Sequence, residues 1–197
     1  VAGGTSLSAC TPPWATEGDK LLERLRDQAT RARIVADMQA SRGSWENLCG
    51  LATAAGVMTV GYEQPTLKQY EGKRLDEIAR TMKLDWANAI VELLLATDAR
   101  VGMLVFMMSE PNVEMQMRQP WMKFGTDADG WDPDSARGMT HPRAYGTYPR
   151  ILGHYVRDRR VLSLEEAIRK MTSAVAARLS IQDRGILREG FYADVVV

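Results

Sequence analysis

The stretch RVGMLVFMMS, residues 100–109, constrains this chain most. Between Arg100 and Ser109 it has no charged residue, and it is of strand rather than helix length. Such a run suits a strand buried on both faces, as in parallel α/β sheets. Helical patterns bracket it. Ahead lies LDWANAIVELLLATD, with Asp85 as N-cap and Trp86, Ile90, Leu93 and Leu94 on one face. Behind lies EPNVEMQMRQ, with Pro111 near its first turn. WMKFGTD then reads as a second short strand ending in polar residues.

The same reading extends outwards. TPPWATEGDK is a loop, and Leu21, Leu22, Leu25, Ile34 and Met38 follow at helical spacing, with Asp27 as an N-cap that splits them into two helices. Residues 44–72 are irregular, with a short strand at GVMTVGY, and RLDEIARTM is a short helix. TYPRILGHYVRDRR is expected to be helical after Pro149. Ser163 and Glu166 stand in capping-box spacing ahead of the next helix, and SAVAARLS follows. The tail GILREGFYADVVV alternates, is rich in β-formers, and has Gly185 and Gly190 as turn points. The expected class is α/β, running into a small β module.

Composition excludes some functions. With 25 acidic and 25 basic side chains in 197 residues, no net field draws the chain to nucleic acid or an anionic membrane. No apolar run approaches the roughly 20 residues a membrane-spanning helix needs. Cys10 and Cys49 are too few for a disulfide framework and lack CxxC spacing, so the bland expectation is a reducing compartment, the cytoplasm. The opening VAGGTSLSAC and the ending YADVVV both read as cut from a longer chain.

Chemistry concentrates in FGTDADGWDPDSARGMTHPRAYGTYPR, residues 124–150. Asp127 follows a strand-like segment, where a carboxylate can serve as general base or metal contact. It can equally be a turn residue, since Asp and Gly gather in loops. Arg143, in HPR, offers a fork that matches a carboxylate, or is simply a capping or surface arginine. His141 and His154 lack metal-site spacing, and this chain cannot build a zinc site from histidines alone. Met103, Met107 and Met108 read as core, and VAGGTSLS has neither a P-loop lysine nor GxGxxG.

The segments TSLSACTPPW, FGTD, HPRAYGTYPRILGHYVR and LSLEEAIRKMTSAVAARLSIQDRGILREGFYADVVV together resemble the N-acyl-D-amino-acid deacylases (D-aminoacylases) of the amidohydrolase superfamily. The resemblance implies the C-terminal part of a metal-dependent (β/α)8 barrel running into a small β-sandwich. Residues 1–182 would supply about barrel strands 7–8, with a long helical insertion at roughly 10–105, and 183–197 the start of the sandwich. The upstream barrel, with its HxH pair, cysteine and two further histidines, would be a missing partner. The resemblance implies zinc, one or two ions, and small N-acyl amino acid substrates hydrolysed at the amide bond. The family's catalytic aspartate falls on Asp127, with Asp129 as a minor rival. In this role Asp127 contacts the metal, takes a proton from the attacking water and returns it to the leaving amine. The arginine that grips the substrate α-carboxylate falls on Arg143, and Thr5 and Ser6 fall in the pocket-lining segment. His141 reads as structural, or as a support behind the residues that touch substrate. Two alternatives stay open: an amidohydrolase for a dipeptide, hydantoin or other cyclic amide, and a non-catalytic assembly or binding module. The fragment alone is expected to be inactive, with GMLVFMM exposed.

Overall fold

The structure, a computed structural model, describes residues 3–40, 45–128, 132, 134 and 141–196. They fall into two compact units, Val1–Met108 and Ser109–Val197.

The first unit is built on a three-stranded sheet of β1 (Gly3–Ser6), β2 (Val57–Val60) and β3 (Gly102–Val105) in the order β1-β3-β2. The apolar run does give a central, buried strand: Met103, Leu104 and Val105 are all buried. Its pairing corrects the parallel expectation, because β3 is antiparallel to both neighbours, with Thr5 and Thr59 each opposite Met103. An apolar run reports burial on two faces and carries no information about strand direction. The run also does not hang exposed as a whole; only Phe106, Met107 and Met108, past the strand end, are 39–45% exposed. Gly102 lets the strands close up, since a Cβ there would meet Val60 Cγ2 at 3.3 Å.

Helices α1 (Pro13–Thr16), α2 (Leu21–Arg26), α3 (Gln28–Gln39), α4 (Leu48–Ala52), α5 (Leu75–Met82) and α6 (Trp86–Ala96) complete the unit. Asp27 divides α2 from α3 as expected, its carboxylate accepting from Thr30 N at 2.8 Å. Asp85 caps α6 by accepting from Ala87 N and Asn88 N at 3.0 and 3.1 Å. Helix α6 packs against α2, α3 and α5, and Ile90, Leu93 and Leu94 are fully buried in the shared core. Truncating one of these leucines to Ala is worth about 2–5 kcal/mol.

The two cysteines, expected as reduced thiols, are joined. Cys10 and Cys49 form a disulfide with their Cα atoms 5.4 Å apart, and Met103 Sδ lies 3.3 Å from Cys10 Sγ. A separation of 39 residues has no spacing signature, so only the packing of the Leu7–Cys10 turn beside α4 brings them together.

The second unit contains α7 (Glu110–Met117), α8 (Arg143–Arg150), α9 (Leu164–Met171) and α10 (Ser173–Arg178). Helix α8 starts six residues before Pro149 and carries that proline inside it. The missing Pro149 N–H interrupts the α-ladder, and the chain continues as a π-helix, Ile151–Asp158. The closing bond, Arg159 N to His154 O at 2.8 Å, spans five residues. Glu110 and Glu114 of α7 tie down this segment through Arg150 (3.0 Å), Tyr155 Oη (2.6 Å) and Arg159 (2.6 Å). Ser163 caps α9 as its spacing predicts, accepting from Glu166 N at 3.2 Å.

Two expected strands do not form. WMKFGTD makes no ladder; it starts in a turn, and Phe124 N donates to Lys170 O at 3.2 Å. Residues 183–196 form a looped segment instead of a ladder, closed by Tyr192 N to Asp183 O at 2.9 Å and by the Arg184–Asp194 ion pair. A strand is defined by a partner's hydrogen bonds, and no described residue pairs with either segment in a ladder. Gly185 and Gly190 do sit at turns, with φ of 80° and 82°.

Candidate active site

The segment that leads to Asp127 is anchored at Phe124, which is buried among Met117, Ile151, Tyr155, Val161 and Ala167. Past it the chain turns: Ala128 N donates to Thr126 Oγ1 at 3.4 Å, and Asp127 adopts φ +51°. That left-handed conformation is uncommon outside glycine but tolerated by aspartate. It turns the carboxylate outwards, 90% exposed.

Arg143 reaches the same place from the other direction. It is the first residue of α8, and the HPR tripeptide organises that helix start. His141 Nδ1 accepts from Arg143 N at 3.0 Å, and His141 O accepts from Ala144 N at 3.0 Å. An accepting Nδ1 puts the proton of a neutral ring on Nε2. His141 therefore serves as a helix cap, the structural part expected of it. At its far end the Arg143 side chain meets Asp127, with Nη1 and Oδ2 3.0 Å apart and the arginine side chain 32% exposed. Two residues chosen separately, sixteen positions apart in sequence, form one ion pair.

Thr5 and Ser6 belong to the first unit. Thr5 lies on β1 opposite Met103. Ser6 caps the turn that follows, accepting from Ser8 N at 3.3 Å. Both are exposed. A cavity of about 750 Å³ in this unit is lined by the indoles of Trp45 and Trp86 with Leu51 and Met38, and by none of the four chosen residues. Asp129 lies outside the described residues.

The second unit also holds polar contacts that sequence reading missed. Tyr155 donates its hydroxyl to Glu110, and this bond holds the Glu110 carboxyl below the usual range, with burial opposing and Arg150 assisting. Burial first, then the Glu110 carboxylate, pushes the Tyr155 phenol up. Lys170 is 1% exposed, and its ammonium donates to the carbonyls of Met117 and Gln119. Its one sequence signal is the spacing of four from Glu166, which also marks any solvated helix face. Among the described residues no three His, Cys, Asp or Glu side chains gather closely enough to hold a metal ion. No described helix is long and apolar enough to cross a membrane.

The described residues thus bring one carboxylate and one guanidinium together, and comparison with known proteins places the chain. Residues 20–197 match the amidohydrolase family, and the chain belongs to that family. Within it the similarity is to the D-aminoacylase branch. The chain is 39% identical over 129 residues to the D-aminoacylase of Alcaligenes xylosoxydans xylosoxydans, covering 66% of this chain and 25% of that protein. It is 35% identical over 137 residues to the N-acyl-D-aspartate deacylase of the same organism, covering 70% and 24%. The fold is similar to a crystal structure of D-aminoacylase, with a TM-score of 0.61 and 29% identity over 98% of this chain and 30% of that one. The N-acyl-D-glutamate deacylase of Bordetella bronchiseptica, solved with zinc and a phosphonate mimic of the tetrahedral intermediate, has a TM-score of 0.59 and 31% identity over 73% and 28%. The chain thus spans about a quarter of the length of the curated relatives it matches.

Proposed function

We propose that this chain is part of a zinc-dependent deacylase that cleaves the amide bond of N-acyl-D-amino acids, releasing a carboxylic acid and a D-amino acid. The observation that carries the reading is the 3.0 Å pair of Asp127 and Arg143. The relatives named deacylases of D-amino acids support the substrate class. We read WMKFGTD, which forms no ladder among the described residues, as the segment that would pair as the eighth barrel strand in the whole barrel, and 183–197 as the start of the β-sandwich. The self-contained core of Val1–Met108 supports reading much of that span, roughly 10–105, as an insertion.

Zinc fits the donor set at one position. Asp127 offers an outward carboxylate, while both cysteines are spent in the disulfide. The remaining ligands belong to the rest of the barrel, a partner this reading requires. When bound, zinc supplies Lewis-acid chemistry, polarising the scissile carbonyl and lowering the pKa of water to about 7.

The chain's own residues do the rest. Arg143 takes the α-carboxylate in its guanidinium fork, which fixes the direction of the acyl amide and so the chirality accepted. Asp127 accepts a proton from the attacking water, then delivers it to the amide nitrogen, because an amine anion does not leave unprotonated. Thr5 and Ser6 contribute hydroxyls to the substrate pocket. The test is a pair of substitutions in the intact protein: Asp127→Asn removes turnover, while Arg143→Met raises KM for N-acetyl-D-amino acids and spares kcat. Unchanged kinetics in both variants would sink the assignment.

A further inference from the structure

Lys170 is a buried cation that the reaction does not use. Its ammonium donates to the carbonyls of Met117 and Gln119, the latter at 2.6 Å, with Glu166 Oε1 3.7 Å away. Met117 is the last residue of α7, where the carbonyls lack intrahelical donors and the helix dipole is negative, and Gln119 lies two residues beyond it. The backbone of the same residue acts in the other direction, since Lys170 O accepts from Phe124 N at 3.2 Å. Its neighbour Arg169 adds a bond to Pro120 O at 3.4 Å. One turn of α9 therefore grips both ends of the 117–124 segment. Three residues beyond Phe124 stands Asp127, whose carboxylate pairs, among the described residues, with Arg143.

We propose that Lys170 is a positioning residue for Asp127: its side chain and its backbone together hold the segment that carries the proton-transferring carboxylate. The inference rests on the role read for Asp127. An exposed carboxylate on a turn takes its place from the nearest rigid anchor, and that anchor is Phe124. Proton transfer demands hydrogen-bond reach, so a small displacement of the anchor reaches the reaction directly. A methionine at 170 would fill the space of the stem and take the ammonium from the buried Met117 carbonyl, while Gln119 O would keep Met122 N at 3.2 Å.

The test uses the intact protein with Lys170→Met and Asp127→Asn in parallel, read by steady-state kinetics and by hydrogen exchange resolved to single amides. The expected result for Lys170→Met is a fall in kcat of roughly tenfold to a hundredfold. KM stays within about twofold, because substrate binding through Arg143 is untouched. Protection of the Phe124 amide falls by about tenfold or more. A purely structural role lowers the melting temperature and leaves kcat alone. Wild-type kcat in folded Lys170→Met, or an unchanged Phe124 amide, overturns the proposal. If Asp127→Asn retains turnover, the reading of Asp127 fails, and the exchange data alone judge the tether. Should Lys170→Met not fold, the wild type decides: a Phe124 amide exchanging as fast as that of Gly125 overturns the inference, and a protected one supports it.

Discussion

On the proposed roles, Asp127 occupies in the free site the guanidinium that would take the substrate carboxylate. This makes Asp127→Asn a perturbation with two opposite effects. The pair is 3.0 Å long, but the aspartate is 90% exposed and the arginine 32%. Ion pairs so open to solvent are worth about 0.2–1 kcal/mol. A ligand carboxylate must displace Asp127, so removing that competitor tightens binding by up to about fivefold. Arg143→Met removes a charge-assisted bond worth about 1.5–3 kcal/mol and weakens binding by roughly tenfold to 150-fold. Calorimetric titration of the intact protein with a non-hydrolysable N-acyl-D-amino acid analogue measures both effects. The expected pattern is tighter binding without turnover in Asp127→Asn, and weaker binding in Arg143→Met. The double variant binds as Arg143→Met does, since no guanidinium is left to compete for. Raising the salt erases the advantage of Asp127→Asn, because an exposed pair is screened. If Asp127→Asn weakens binding as much as Arg143→Met, the aspartate contributes to the binding surface and the competition argument is wrong.

The disulfide closes a separation of 39 residues, and its removal by Cys10→Ala with Cys49→Ala is expected to cost about 4 kcal/mol. Urea denaturation of the first unit, followed by fluorescence of Trp14, Trp45 and Trp86, should show it, whereas matching midpoints for variant and oxidised wild type would exclude the bond. Asp85→Ala removes the cap of α6 and should cost about 1–2 kcal/mol. Burial pushes the Asp85 carboxyl up, but bonds from the Asn88 side chain and from the Asn88 and Ala87 amides outweigh it, so the folded pKa is lowered. A lowered carboxyl gives stability above its unfolded pKa that is lost as pH falls through the folded one; melting temperatures taken across the acid range should therefore fall less steeply in Asp85→Ala. Tyr155→Phe removes the 2.6 Å bond to Glu110 and should let that carboxyl rise towards the ordinary range, seen by NMR titration, at a cost of about 1 kcal/mol once the exposure of Glu110 is discounted. A Glu110 titration unmoved by that change would show that Arg150 alone sets it.

What the sequence made legible follows the range of the forces involved. Helices announce themselves through neighbours three and four apart, so Asp27, Asp85 and Ser163 were readable as caps and are caps. Strands need partners from elsewhere. The 100–109 run told of burial but not of direction, and WMKFGTD and the tail told of β propensity but not of a ladder. Pro149 misled for a local reason: a proline usually opens a helix, yet α8 starts at Arg143, six residues before Pro149, where His141 accepts from the Arg143 amide.

The candidate site divides along the same line. Asp127 and Arg143 were chosen from motifs, because a motif records chemistry that cannot be exchanged: a carboxylate for protons, a fork for a carboxylate. The contacts that hold each unit together were invisible, because many side chains could do that work. The disulfide, the Glu110–Tyr155 bond and the Lys170 clasp each join residues between 39 and 53 positions apart. No periodicity links such pairs; only the packed chain does. A lysine in EEAIRKM reads as solvated until Met117 and Gln119 turn their carbonyls towards it. Candidate groups can thus be picked from sequence while the contacts that hold their segment cannot: Phe124, three residues before Asp127, is held by Lys170 O of α9 and by the apolar cluster around it.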